Sequence, residues 1–260
     1  MNISEILVKM RKKRPLVHCI GNDISTSDTA NLLLAAGARP IMSFAPQEAE
    51  EISRSCRATA LNCGTPTEEK FAGLAKAAKG AENHPLVIDP VGAGASLWRK
   101  ERITALLAAG NTDIIHCNYS EACALTQTVA EFAGVDSADT RLSKKTLVAC
   151  VLAEKYCCTV VMTGRQDIVT DGVHTAIVHG GNPQMGLVSG SGCMLGALLA
   201  AFATVTDSFS RSVAASAFWK KCAEMAGQRA ASPGSLKTAL IDSAYEIQPQ
   251  QLEEVKIEYK

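Results

Sequence analysis

The chain has 260 residues, with 26 Lys plus Arg against 26 Asp plus Glu, so its formal charge is zero. A nucleic-acid binder needs surplus cations to displace phosphate counterions, and this balance argues against that class. Hydrophobic residues make up 47% and charged residues 20%, a globular rather than a disordered composition.

Ten cysteines form no C-x-x-C pair, which excludes the usual zinc spacing. They read as reduced thiols packed in a core, in a cytoplasmic protein. No secretory leader is expected, because few apolar residues follow the basic run Arg11 to Arg14. The longest apolar run, residues 194–205, is too short to cross a bilayer and reads as a core helix. No repeat or linker divides the sequence, so residues 1–260 are read as a single domain.

In chain order, the pattern predicts a helix over 29–36 stopped by Gly37, and another over 68–79 stopped by Gly80. A strand at 86–88 runs into Asp89-Pro90-Val91-Gly92-Ala93-Gly94. A second, at 114–115, leads through Cys117-Asn118 into a helix over 120–125. A helix over 142–156 precedes a strand at 159–162 that ends in Thr163-Gly164. Residues 167–178 carry Asp171-Gly172 between two β-like runs and read as a hairpin. Helices over 194–205 and 212–229 follow. Buried strands alternating with helices predict an α/β fold: three α/β/α layers, a mostly parallel central sheet flanked by helices, and an antiparallel extension. In such sheets ligands bind at the carboxyl ends of strands.

Four places there carry chemistry, each with a plainer reading beside it. Ser189-Gly190-Ser191-Gly192-Cys193 opens the apolar helix, and its amides and helix dipole suit a phosphate. Small residues for close packing explain it equally. Cys193 at that helix start would have a lowered thiol pKa, or would be a buried structural thiol. Asn118 and Glu121 could face a magnesium-bound triphosphate, or could be an N-cap and its capping-box partner. Asp89 could help hold magnesium or could make an Asp turn, and Thr163 could bond a phosphate or close a tight turn.

The order of these pieces resembles the hydroxyethylthiazole kinases of the ribokinase-like superfamily. The similarity runs through Leu16-Val17-His18-Cys19-Ile20-Gly21-Asn22, Pro40-Ile41-Met42, Leu61-Asn62-Cys63-Gly64-Thr65 and Asp89 to Ala95. It continues through Asn118-Tyr119-Ser120-Glu121, Thr163-Gly164 and the Ser189 to Cys193 turn, covering residues 15–206. The resemblance implies a ribokinase-like fold and transfer of the ATP γ-phosphate to the primary alcohol of 4-methyl-5-(2-hydroxyethyl)thiazole, a step in thiamine salvage. It implies Met42, Gly190 and Asn22 on the substrate side, and His116, Asn118, Thr163 and Gly192 on the nucleotide side. Asp89 and Glu121 would serve Mg²⁺, and Cys193 would stand where wider relatives carry a catalytic aspartate. A homotrimer with thiazole sites near subunit boundaries is implied too, with no membrane or nucleic-acid partner.

Two departures stand out. The family usually carries Arg-Gly-Asn where this chain has His116-Cys117-Asn118, and a mostly neutral His116 would weaken phosphate contact. Gly21 replaces a usual threonine and would reshape the acceptor pocket. They keep open a kinase of another small heterocyclic alcohol, or a non-catalytic ligand-binding homologue.

Overall fold

The structure is a computed structural model that describes residues 2–109, 111–127 and 138–260. Its centre is a sheet of nine strands. In chain order these are β1 (Leu16–Ile20), β2 (Arg39–Met42), β3 (Ala58–Asn62), β4 (Leu86–Asp89), β5 (Ile114–Asn118), β6 (Thr159–Thr163), β7 (Asp167–Thr170), β8 (Thr175–Val178) and β9 (Ile257–Tyr259). Their spatial order is β2-β1-β3-β4-β5-β6-β7-β8-β9. The first six run parallel, and the pairings from β6 to β9 are antiparallel. This bears out the parallel sheet with its antiparallel extension.

Side chains alternate between two cores, as the two-residue period of a strand requires. Val87 of β4, Ile114 of β5 and Val161 of β6 join one core. Their neighbours Ile88, Ile115 and Met162 join the other. On the first face lie α1 (Ile3–Lys13), α2 (Thr26–Ala36), α8 (Ser191–Phe202), α9 (Ser208–Arg229) and α10 (Pro233–Glu246). The second carries α3 (Ala49–Ser55), α4 (Glu68–Gly80), α5 (Leu97–Ala108), α6 (Tyr119–Thr126) and α7 (Ala138–Tyr156). Strands β3 and β4 are buried along their whole length and mostly apolar, with the polar Asn62 and Asp89 at their carboxyl ends.

Element ends differ from the expectations where a local hydrogen bond takes over. Helix α2 begins at Thr26 rather than 29, because Asn22 Oδ1 accepts from the Ile24 and Ser25 amides and turns the chain early. Helix α9 begins at Ser208 because Asp207 caps the Ser210 amide at 2.8 Å. The predicted 194–205 helix spans Ser191–Phe202 instead. It starts early because Gly190 takes the left-handed φ of +83° that opens the turn. It ends early because Arg211 Nη1 donates to the Ala203 and Thr206 carbonyls beyond it. Strand β9 has no counterpart among the expectations; the alternation of Val255, Ile257 and Tyr259 is its signal. All ten cysteines are free thiols, as expected of a reduced core.

Candidate active site

The carboxyl ends of β1, β3 and β4 meet under the first turns of α8, with His116 of β5 beside them. Parallel register brings the pieces together: Asn62 pairs with Asp89, and Asn118 with Thr163. Helix α8 lies close because its contact residues are glycines. A Cβ on Gly196 would sit 3.5 Å from both Asp89 Oδ2 and His116 Nδ1. One on Gly190 would collide with Ser25 at 2.4 Å, besides straining a positive φ. Ser191, Gly192 and Cys193 form the first helical turn, not a loop before it. The Gly192 and Cys193 amides therefore belong to the end of a helix that lacks intrahelical acceptors.

A chain of side-chain amides links the thiol to the carboxylate. Asn22 Nδ2 donates to Cys193 Sγ at 2.8 Å and lies 3.4 Å from Asn62 Oδ1. Asn62 Nδ2 donates to Asp89 Oδ2 at 2.6 Å, and Asn62 Oδ1 accepts from the Gly64 amide at 2.9 Å. The Ser25 hydroxyl and two backbone amides donate to Asn22 Oδ1, which fixes the orientation of that side chain. Between these groups and Gly21, Thr29 and Gly196 lies a cavity of about 20 Å³, room for a single water. A Cβ at Gly21 would stand 2.8 Å from Thr26 Oγ1, so the Thr26 hydroxyl fills the space that a larger residue at 21 would need.

Of the two readings of Cys193, the buried thiol is favoured over the acidified one. Burial pushes its pKa up, and the negative field of Asp89 adds to this; hydrogen bonds from Ser25, Asn62 and Asn22 only partly offset the rise. The thiol form prevails near neutral pH.

Glu121 does make the capping box. Its Oε2 accepts from the Asn118 amide at 2.8 Å, and Asn118 Oδ1 accepts from the Glu121 amide at 3.0 Å. Its second oxygen accepts from the Gly92 amide at 2.8 Å, tying the β4 and β5 loops together. Burial raises its pKa, with Asp89 adding to the rise against those two amide bonds. His116 lies beneath α8, only 3% exposed, with Nδ1 3.5 Å from Asp89 Oδ2. Its Nε2 is buried without a protein partner among the described residues. The surroundings of His116 shift it toward its protonated form. Burial lowers its pKa, but Asp89, Glu121 and Asp167 outweigh this and raise it overall.

Next to this closed cluster opens a cavity of about 1140 Å³, bordered by Arg141, Lys145, Arg165, His179, Gly181 and Lys220. Its inner wall is the loop that follows Thr163. Lys220 Nζ bonds Asp167 Oδ1 at 3.0 Å and donates to the Gly164 carbonyl at 2.9 Å. Ser216 donates to Asp167 Oδ2, and the Gly164 amide donates to Asp167 Oδ1. Thr163 is half-buried at the end of β6, 3.4 Å from the Cys117 carbonyl. Met42 ends the edge strand β2, beside Cys19 of β1.

The structure thus gathers Asn22, Asp89, His116, Gly190, Gly192 and Cys193 around the start of α8. Asn118, Glu121 and Thr163 sit on the neighbouring strand ends, and Met42 lies at the sheet edge. Sequence reasoning assigned no role to Asn62, Lys70 or Lys220. Lys70 is 5% exposed, and its ammonium donates to the Gly64 carbonyl. Burial lowers its pKa, while Cys63, Asp23, Cys193 and Asp89 oppose the shift. The sequence signal for Asn62 is a polar residue ending an apolar strand; nothing local marks the lysines. No group of three His, Cys, Asp or Glu side chains is placed to cage a metal among the described residues.

Known proteins share this fold. The Staphylococcus aureus pyridoxal kinase solved in complex with ADP superposes with a TM-score of 0.63 at 15% identity, over 81% of this chain and 88% of that one. The Pyrococcus horikoshii hydroxyethylthiazole kinase structure superposes with a TM-score of 0.92 at 33% identity, over 99% and 98% of the two chains. Fold and site together define a ribokinase-like kinase, a phosphotransferase with an alcohol acceptor. The profile of the Hydroxyethylthiazole kinase family matches residues 7–250. Hydroxyethylthiazole kinase from Pyrococcus furiosus is 36% identical over 98% of this chain and 97% of its own length. Hydroxyethylthiazole kinase 2 from Clostridium botulinum strain Loch Maree is 39% identical over the full length of both. The chain belongs to the hydroxyethylthiazole kinase family.

Proposed function

We propose that the protein transfers the γ-phosphoryl group of ATP to the primary alcohol of 4-methyl-5-(2-hydroxyethyl)thiazole, as in thiamine salvage. The observation that carries this is the uncapped first turn of α8, whose Gly192 and Cys193 amides open beside the Asn22–Asn62–Asp89 chain. Phosphoryl transfer passes through a loose transition state, so placing the partners and neutralising charge outweigh proton removal. The amides of Gly192 and Cys193 face the transferring group. Cys193, as a neutral thiol, orients the acceptor hydroxyl rather than deprotonating it. His116 lies beneath the same turn, where the family usually has arginine, and Asp89 favours its protonated form. Asn118 and Thr163 border the nucleotide phosphates, and the wide cleft behind Thr163 receives the rest of the nucleotide.

Asp89 and Glu121 suit Mg²⁺, which keeps most of its shell as water and phosphate oxygens. Both Glu121 oxygens already hold amides, so it fits a water-mediated role rather than a cage. When bound, the ion neutralises phosphate charge.

The cavity within the chain is too small for a thiazole ring, so the acceptor site lies outward, toward Gly190 and Met42. Ile24, Phe44 and Leu187 are large apolar side chains left exposed. The family resemblance supports a homotrimer that completes the pocket with a neighbouring subunit. One continuous sheet supports reading residues 1–260 as a single catalytic domain. No described helix is long and apolar enough to cross a membrane, and we place the enzyme in the cytoplasm.

The test is ADP release coupled to detection of thiazole phosphate, with Mg-ATP and the thiazole alcohol. A second reading, another small heterocyclic alcohol as acceptor, is favoured by the Gly21–Thr26 pair. A panel of such alcohols decides it, by turnover of one of them where the thiazole gives none.

A further inference from the structure

We infer that Asn62 is the positioning residue that holds the acceptor side and the metal side of the reaction in one register. The inference rests on the kinase reading above. Asn62 is 7% exposed and stands at the end of β3, directly opposite Asp89 in the ladder. Its amide has two ends with different duties. The Nδ2 end donates to Asp89 Oδ2 at 2.6 Å, a charge-assisted bond that fixes the rotation of the carboxylate. The Oδ1 end faces Asn22 Nδ2 at 3.4 Å and accepts from the Gly64 amide at 2.9 Å. Asn22 in turn reaches the Cys193 thiol. A displacement of either asparagine therefore moves the thiol and the carboxylate relative to each other.

On the loop side the site has little slack to absorb such a displacement. A Cβ on Gly64 would lie 2.9 Å from Asn62 Oδ1 and 3.1 Å from Asn22 Cβ, so the loop is packed directly against both amides. Lys70 clamps the same loop from behind, through the Gly64 carbonyl. Helix α8 closes the other side, with Gly196 at contact distance from Asp89. Asn62 acts through Asp89, through Asn22 and through the Cys193 thiol that it also contacts.

Two variants separate its two ends. Asn62→Asp keeps the shape and the Oδ1 acceptor but sets a carboxylate against Asp89 in place of a donor. Asn62→Ala removes both ends. With the full chain, Mg-ATP and the thiazole alcohol, both should lose about 10- to 100-fold in kcat, the range for losing one hydrogen bond to a charged group. The acceptor KM should rise several-fold in Asn62→Ala and stay within about twofold of wild type in Asn62→Asp. Stabilisation by Mg-ATP, read as a thermal shift without acceptor, should shrink in both. A merely structural role would lower Tm and the active fraction while leaving KM and the Mg-ATP shift unchanged, and that outcome overturns the inference. So does wild-type kcat in folded Asn62→Asp. If the wild-type protein makes no thiazole phosphate, the kinase reading fails. The Mg-ATP shift then still decides the inference: an equal shift in wild type and both variants overturns it.

Discussion

The two halves of the site are built on opposite principles. On the side proposed for the acceptor, Asn22, Asn62, Asp89 and Cys193 satisfy one another around a cavity of about 20 Å³. On the side proposed for the nucleotide, an open cleft of about 1140 Å³ is bordered by glycines and cations, and the described contacts are concentrated at its inner wall. The difference teaches where precision is needed. The acceptor hydroxyl must meet phosphorus within a fraction of an ångström, so that side is preorganised before substrate arrives. A nucleotide can be held by its phosphates and tolerates a roomier pocket.

The largest expected effect tests the one rigid part of the open half. Lys220→Met leaves Asp167 buried without its cation, a change that costs about 3–5 kcal/mol. Denaturant unfolding should show that loss, and the ATP KM should rise in the folded fraction as the Gly164 loop relaxes. Unchanged stability would mean that the cleft wall does not depend on this pair.

Gly192→Asp attacks the boundary between the halves. A carboxylate at the first turn of α8 opposes the phosphate and displaces the amides, so kcat should fall about 10²–10³-fold, the scale of losing one oxyanion donor. Near-normal turnover would remove the helix start from the mechanism.

Cys193→Ala should cost only about 2- to 10-fold in kcat, because a neutral thiol contributes one ordinary hydrogen bond. A loss of several hundred-fold would mean that the thiol acts as a base after all.

The smallest effect concerns pH and lies outside the site. Burial lowers the pKa of both His18 and His84, so both favour the neutral form when folded. Below about pH 6.5 the unfolded chain takes up protons that the folded chain resists, and stability declines as pH falls. His116, whose pKa is raised, contributes in the opposite direction and softens the slope. Thermal melts at pH 7.5 and 5.5 should show a lower Tm in acid, and replacing His84 by Gln should flatten the difference.

What the sequence reveals follows from how local each feature is. The Asn118–Glu121 capping box is legible because its partners are three residues apart on one helix. The parallel sheet is legible from apolar strands that end in polar turns. The Asn62–Asp89 bond is not, since the two lie 27 residues apart and meet only through strand register. Lys220 reaches Gly164 from 56 residues away, and no periodicity marks it. Cys193 and His116 sit at element ends that the sequence marks, but the shift of each pKa draws on Asp89, a neighbour that only the packed fold supplies.

The measurement closest to the central claim is phosphorus NMR of the complete reaction, with wild-type protein and Gly192→Asp in parallel. The account predicts one thiazole phosphate formed for each ADP released by the wild type, and almost none from Gly192→Asp. ADP release without thiazole phosphate, or equal product from both proteins, would contradict it.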